Sequence, residues 1–199
     1  MSCRVNSTLS QPFVSGAVDA GQFLAAIQHT AVAAQLSCDR LLLSQIVGHM
    51  QSCLPFEGVG LVATVPGAAG PIAVSYYPGT NVSASPTRFT MDPREVHRAI
   101  EDMARKGTSL GAVVHSHPKT IATPSAIDLR EATISDALSI IVGFTPRLSI
   151  RAWRLLFSPS GRAFDAVECP IVTTTTGTGA RERSSRRAVA GSAMHEDEE

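Results

Sequence analysis

One run constrains this chain more than any other: Leu110-Gly111-Ala112-Val113-Val114-His115-Ser116-His117-Pro118. Leu110 to Val114 is apolar and partly β-branched, the composition of a buried strand, and it runs straight into two histidines. Residues two apart on a strand point to the same face, so His115 and His117 present two imidazoles side by side at the strand's end. Pro118 has no N–H to give to a ladder and marks where the strand stops. Seven residues separate His117 from Ser125, enough for a loop that turns the chain back. Ser125-Ala126-Ile127-Asp128 then opens a helix, and such a loop can return Asp128 to the side of the two histidines.

Two neutral imidazoles and one carboxylate form a borderline ligand set that suits Zn²⁺. Three protein ligands leave a fourth tetrahedral position for water, which separates a catalytic zinc from a closed structural one. Each part also has a plainer explanation. A lone His-x-His pair is more often incidental than not, and Ser-x-x-Asp is what a capping box looks like. The capping explanation is compatible with the metal one, because Ser125 can cap the helix while Asp128 faces the ion. The combined spacing is far more specific than its parts.

That spacing (His-x-His, seven residues, Ser, two residues, Asp) resembles the signature of the JAMM (MPN-plus, JAB-domain) metalloproteases, Pro118 included. The family pattern adds an upstream glutamate before a glycine-containing apolar strand, and Pro55-Phe56-Glu57-Gly58-Val59-Gly60-Leu61-Val62 supplies it in Glu57. The resemblance covers Leu36 to Cys169. Thr87-Arg88-Phe89-Thr90-Met91-Asp92-Pro93 and Pro124 to Asp128 are similar to the small bacterial branch, which includes sulfur-carrier-protein–cysteine hydrolases. The resemblance implies an α/β (α+β) fold, a JAB/MPN-type mixed β-sheet flanked by helices, similar to the cytidine-deaminase architecture. It implies one Zn²⁺ per chain on His115, His117 and Asp128. Glu57 is then the general base, and Ser125 donates a hydrogen bond to the oxyanion. The implied reaction cleaves the amide bond after the C-terminal Gly-Gly of a ubiquitin-like or sulfur-carrier protein, for example releasing cysteine from a carrier adduct.

Sequence physics alone does not choose Glu57 over Glu95 or Glu131; that choice rests on the resemblance and on a place just before a strand. Two features depart from the commoner pattern. Gly58 and Val59 stand where cysteines often follow the glutamate, and Thr123 stands where an aromatic often precedes Pro-Ser. Neither replaces a ligand, but both bear on the substrate groove. Two further readings stay open: a non-catalytic scaffold of the same fold, and a JAB-fold peptidase with another peptide substrate. The scaffold predicts broken ligands, and none is broken.

At 199 residues the chain suits one domain with tails. We expect an N-terminal extension over 1–35 with an alanine-rich helix from Ala20 to Leu36, a catalytic domain over 36–170, and a disordered tail over 171–199. The formal net charge is zero and only 5% of residues are aromatic, which speaks against a nucleic-acid surface. No apolar run approaches the ~20 residues that span a bilayer, and the start does not read as a signal peptide. Cys3, Cys38, Cys53 and Cys169 are scattered, neither a zinc-finger pattern nor a disulfide framework. A cytoplasmic protein with reduced thiols is the expectation.

The remaining pattern predicts a helix over Arg40–Cys53 and a hairpin of Gly58–Val65 with Ile72–Tyr77. A short strand at Arg88–Thr90 and a helix from Asp92 to Gly107 follow. A helix over Ser125–Ala137 and strands at Leu138–Phe144, Leu148–Phe157 and Gly161–Cys169 complete it. His49 and His97 read as ordinary helix residues and Trp153 as core.

Overall fold

The computed structural model describes residues 35–174. The expected Ala20–Leu36 helix lies outside the described residues except for Gln35 and Leu36, which are not helical, Leu36 opening a strand instead; the expected tail beyond Thr174 also lies outside them. In chain order the elements are β1 (Leu36–Asp39), α1 (Arg40–Ser52), β2 (Val59–Val65), β3 (Ile72–Gly79), α2 (Pro93–Arg105) and β4 (Ser109–His117). They continue with α3 (Ala126–Glu131), β5 (Leu138–Gly143), β6 (Ser149–Phe157), β7 (Ala163–Cys169) and β8 (Ile171–Thr174). The strands form one eight-stranded sheet in the order β7-β6-β5-β4-β2-β3-β1-β8. It is mixed, as expected: β4 runs antiparallel to β2 and parallel to β5, and β1 runs parallel to both β3 and β8.

Both faces of the sheet are covered, and the alternation along β2 shows how. Val62 joins Leu36, Ile46, Met50, Ala112, Val114, Ile140 and Val142 in a core beneath α1. Val59, Leu61 and Ala63 point the other way and pack with Met91, Ala99 and Met103 of the α2 side. Alternate side chains on a strand take opposite faces, so β4 is divided likewise. Ala112 and Val114 face α1, while Val113, His115 and His117 share the other face. A strand buried on both faces reads as a near-continuous apolar run, which is how Leu110–Val114 reads.

The helix starts follow their caps. Asp39 accepts the Leu41 N–H at 2.7 Å to open α1. Asp92 accepts the Arg94 N–H at 2.8 Å with Pro93 in the first turn of α2, and Gly107, at φ +66°, ends that helix in the left-handed region glycine favours.

Three expectations differ from the structure. The helix predicted over Ser125–Ala137 stops at Glu131, and Ala132 is extended (φ −64°, ψ 129°). Thr133, Ser135 and Asp136 are weak helix formers that compete for backbone hydrogen bonds, and the chain must straighten there to enter β5. Arg88–Thr90 is not a strand; only an isolated bridge, Asn81 to Met91, forms in that stretch. Ile171–Thr174, expected in the tail, form β8 and pair with β1 along its length, from Leu36↔Ile171 to Asp39↔Thr174. Their β-branched side chains suit a pleated edge. Among the described residues no helix is long and apolar enough to cross a membrane.

One glycine controls the loop that follows β4. Gly143 is the cross-strand partner of His117. A Cβ there would lie 2.5 Å from the Ala122 nitrogen and 2.8 Å from the Ile121 carbonyl carbon, both backbone atoms. The missing side chain lets the loop pass beside His117. Gly143→Ala is expected to lower stability by about 1–3 kcal/mol, read as a fall in melting temperature; an unchanged melting temperature would mean the loop is not packed on β5.

Candidate metal centre

The centre is assembled where β4 ends. The strand places His115 and His117 in register with Ile141 and Gly143 of β5, on the face they share with Trp153 of β6, which lies one row away beside Ser139. The chain then turns back across that face and is pinned there. The Trp153 indole N–H donates to the Ala122 carbonyl at 3.0 Å, and Ala122, Ile141 and Trp153 form a small buried cluster. The Arg151 guanidinium lies over the Trp153 ring at 4.5 Å and is held by both carboxylate oxygens of Glu168. Trp153 is core, as its pattern suggests, but its N–H also fixes the loop that brings Asp128 home. A buried indole N–H needs an acceptor, and no local pattern reveals which one it finds.

Ser125 and Asp128 then close a capping box. The Asp128 N–H donates to Ser125 Oγ at 3.2 Å, and Asp128 Oδ2 accepts the Ser125 N–H at 2.6 Å. The bond to the Ser125 hydroxyl uses its acceptor side and leaves its proton available. Held this way, Asp128 faces the histidines. Its Oδ1 lies 3.4 Å from His115 Nε2 and its Oδ2 lies 3.3 Å from His117 Nε2. The two Nε2 atoms are 3.2 Å apart.

These separations test the fit to zinc. Donors about 2.0–2.1 Å from a tetrahedral Zn²⁺ stand about 3.3–3.4 Å from one another. The three side chains gather within reach of one ion, with a different oxygen of Asp128 facing each imidazole, and the donor set suits zinc. His117 Nδ1 donates to the Ile121 carbonyl at 2.9 Å, which leaves the Nε2 lone pair turned inward, the orientation a ligating histidine needs. His115 is fully buried and stacks on Phe89, with ring centroids 4.6 Å apart; its Nδ1 has no hydrogen-bond partner among the described residues.

Burial sets much of the electrostatics. It lowers the pKa of His115. For His117 burial acts in the same direction, but Asp128 and the Ile121 carbonyl outweigh it and the pKa rises. Burial pushes Asp128 up, yet the two imidazoles hold its carboxyl well below the usual carboxylate range.

Glu57 sits at the entrance to β2. The pairing Val59↔His115, continued by the Ser116 N–H to Gly58 carbonyl bond of 3.1 Å, sets it opposite His117. It is 4% exposed, and its Oε2 is buried with no partner among the described residues. Burial raises its pKa to about 7, with His117 opposing that shift and Asp128 adding to it. Glu95 and Glu131, which the sequence could not set aside, differ. Glu95 accepts both the N–H and the hydroxyl of Thr80, and Glu131 forms an exposed ion pair with Arg88 at 3.6 Å. His49 bonds Tyr76 Oη at 2.6 Å and His97 pairs with Glu101 at 3.3 Å, neither of them among the groups that gather here.

A cleft of about 170 Å³ opens onto His115 and Asp128 and is lined by Phe89, Val113, Ile127, Ile134 and Leu155 among others. Arg88 and Glu131 also border it, so their ion pair lies at its margin. The run holding Arg88 and Phe89 resembles the bacterial branch in sequence, but nothing local in it points to a place at the site except an aromatic in a polar loop.

Fold and site together describe a candidate metallohydrolase centre at the end of a central strand of a mixed sheet. Residues 39–156 match the family model of prokaryotic homologs of the JAB domain, and the chain belongs to that family. It is 40% identical over 95 residues to the probable TtuB-protein conjugate cleaving protease of Thermus thermophilus; the match covers 47% of this chain and 60% of that protein, less than two thirds of its length. It is 32% identical over 120 residues to the CysO-cysteine peptidase of Mycobacterium tuberculosis, covering 58% of this chain and 79% of that one. A protein from Desulfitobacterium hafniense whose solution structure is known is similar in fold. It is 26% identical, with a TM-score of 0.61, over 71% of this chain and 94% of that one.

The raised pKa of Glu57 has a consequence for stability. The folded chain keeps on Glu57 a proton that the unfolded chain loses near pH 4.5. The contribution is therefore fully present below pH 4.5 and lost as the pH rises through about 7. In metal-free protein, Glu57→Gln is expected to melt close to wild type at pH 4.5 and several degrees higher at pH 8. An offset that is the same at both pH values would contradict the burial of an ionisable carboxyl at this position.

Proposed function

We propose that the chain is a zinc-dependent amide hydrolase acting on a sulfur-carrier or ubiquitin-like protein at the bond after its C-terminal Gly-Gly, for example in a carrier–cysteine adduct. The observation that carries the reading is the convergence of His115, His117 and Asp128, whose nitrogen and oxygen atoms approach one another to 3.2–3.4 Å, a separation that supports binding of one ion. These three residues would hold the zinc. When bound, it supplies Lewis acidity, drawing a water toward its hydroxide form near neutral pH and polarising the scissile carbonyl.

The chain's own groups do the rest. Glu57 takes a proton from the attacking water as the water's oxygen bonds to the carbonyl carbon. It returns that proton to the nitrogen as the C–N bond breaks. Burial, which raises the Glu57 pKa to about 7 in the metal-free chain, favours a carboxyl that can take up a proton and give it back. The Ser125 hydroxyl donates to the carbonyl oxygen as negative charge grows there. Ile121, through His117, and the capping box, through Asp128, hold the two ligands in place before substrate arrives. The apolar cleft beside His115 holds the extended peptide next to the scissile bond.

The names of the relatives support the substrate class: one is a probable TtuB-protein conjugate cleaving protease and another a CysO-cysteine peptidase. The catalytic domain starts at residue 36 and reaches beyond 170 to take in β8, which pairs with β1. Cys38 and Cys53 are thiols outside any disulfide, which fits work in the reducing cytoplasm.

Purified protein is expected to carry about one zinc per chain and to cleave a carrier–cysteine adduct in a chelator-sensitive way. Glu57→Gln is expected to retain the zinc and lose at least about 10²-fold in rate. Zinc binding without cleavage of any Gly-Gly adduct would redirect the reading to another peptide substrate, and absence of zinc would make the chain a scaffold.

A further inference from the structure

Glu57 lies just outside the β2 ladder, and one of its carboxylate oxygens has no partner among the described residues. No hydrogen bond fixes that oxygen, so the contacts of the Glu57 backbone bear directly on where the carboxylate lies. Both of its backbone groups are taken by the loop between β3 and α2. The Glu57 N–H donates to the Ser85 carbonyl at 2.9 Å. The Glu57 carbonyl accepts from Asn81 Nδ2 at 2.9 Å.

Asn81 does more than close that contact. It stands at the neck of a hairpin-like loop, bridged to Met91, with the Val82 N–H bonded to the Thr90 carbonyl at 2.8 Å and the Asp92 N–H to the Thr80 carbonyl at 3.0 Å. Its Nδ2 donates a second bond to the Arg88 carbonyl at 3.0 Å. Its Oδ1 accepts the N–H of Ser83 at 3.1 Å and of Thr90 at 2.9 Å. Two donors and two acceptors exhaust a carboxamide, and only one orientation of the amide meets two carbonyls with its nitrogen and two N–H groups with its oxygen. One side chain thus joins the backbone of Glu57 to the segment whose Phe89 stacks on His115. The loop pays for its shape at Ala84, which sits at φ +42° just before the Ser85 carbonyl that meets Glu57.

We infer that Asn81 is a positioning residue: its carboxamide holds the backbone of Glu57 and the Phe89 segment in one register, and so aims the Glu57 carboxylate at the metal centre. This rests on the reading of Glu57 as the base. Aspartate at 81 keeps both acceptors and the shape but has no donor for the two carbonyls. Alanine removes all four bonds. Neither change touches a ligand, and Asn81 belongs to none of the three buried clusters.

The test uses the full chain with zinc, comparing Asn81→Asp and Asn81→Ala with wild type. The readouts are zinc content, steady-state kinetics on a sulfur-carrier protein bearing cysteine on its Gly-Gly end, and amide hydrogen exchange by NMR. The expected result is unchanged zinc, a kcat lower by about 10- to 100-fold with KM within about twofold, and faster exchange at the Glu57 amide while the β4 amides stay protected. The inference is overturned by unchanged exchange at Glu57, by loss of β4 protection in parallel, or by an intact kcat in an active background. If wild type leaves the adduct uncleaved, the hydrolase reading fails, and the exchange comparison still decides whether Asn81 holds Glu57.

Discussion

The structure turns on bringing one carboxylate against two buried imidazoles. Taking Asp128 and both histidines out of water is costly unless each finds a partner. Each does so in part from the others, at 3.2–3.4 Å. The capping box satisfies Asp128 from its own helix, and the Ile121 carbonyl satisfies His117 from the loop. The three groups so gathered form a candidate metal site. A buried polar cluster of this kind is weak as a source of stability and strong as a determinant of geometry, because few other arrangements satisfy its members.

The supporting parts divide the work by distance. β4 supplies the histidines through strand periodicity alone. Gly143, by having no side chain, gives the returning loop room beside His117. Trp153 holds that loop with a single hydrogen bond from two strands away. On the other side of β4, Ser116 Oγ accepts the Gly58 N–H at 2.8 Å, so the residue after Glu57 is tied to the residue between the two histidines. The site is fixed from both neighbours of β4, one by packing and one by hydrogen bonds.

How much of this could be read from the sequence follows from how local each relation is. His115 and His117 were legible because a period of two needs no information beyond the strand. Asp128 was legible because the capping box announces the helix start and the loop length allows a return. The β2–β3 hairpin and the start of α2 were legible from turn and cap residues. Glu57 needed the family resemblance, since nothing nearby in sequence separates it from Glu95 or Glu131; burial, a tertiary property, does so. Trp153 with Ala122, Asn81 with Glu57, and β8 with β1 join residues far apart in the chain, and no periodicity encodes such pairs. The short α3 was overcalled because a capping box fixes where a helix begins and says nothing of where it ends.

X-ray absorption at the zinc edge of the purified chain tests the account most directly. It predicts a first coordination shell of nitrogen and oxygen only, at about 2.0–2.1 Å, with two imidazoles contributing their characteristic outer-shell scattering. A sulfur shell near about 2.3 Å, or a zinc signal unchanged when Asp128 is replaced by alanine, would contradict it.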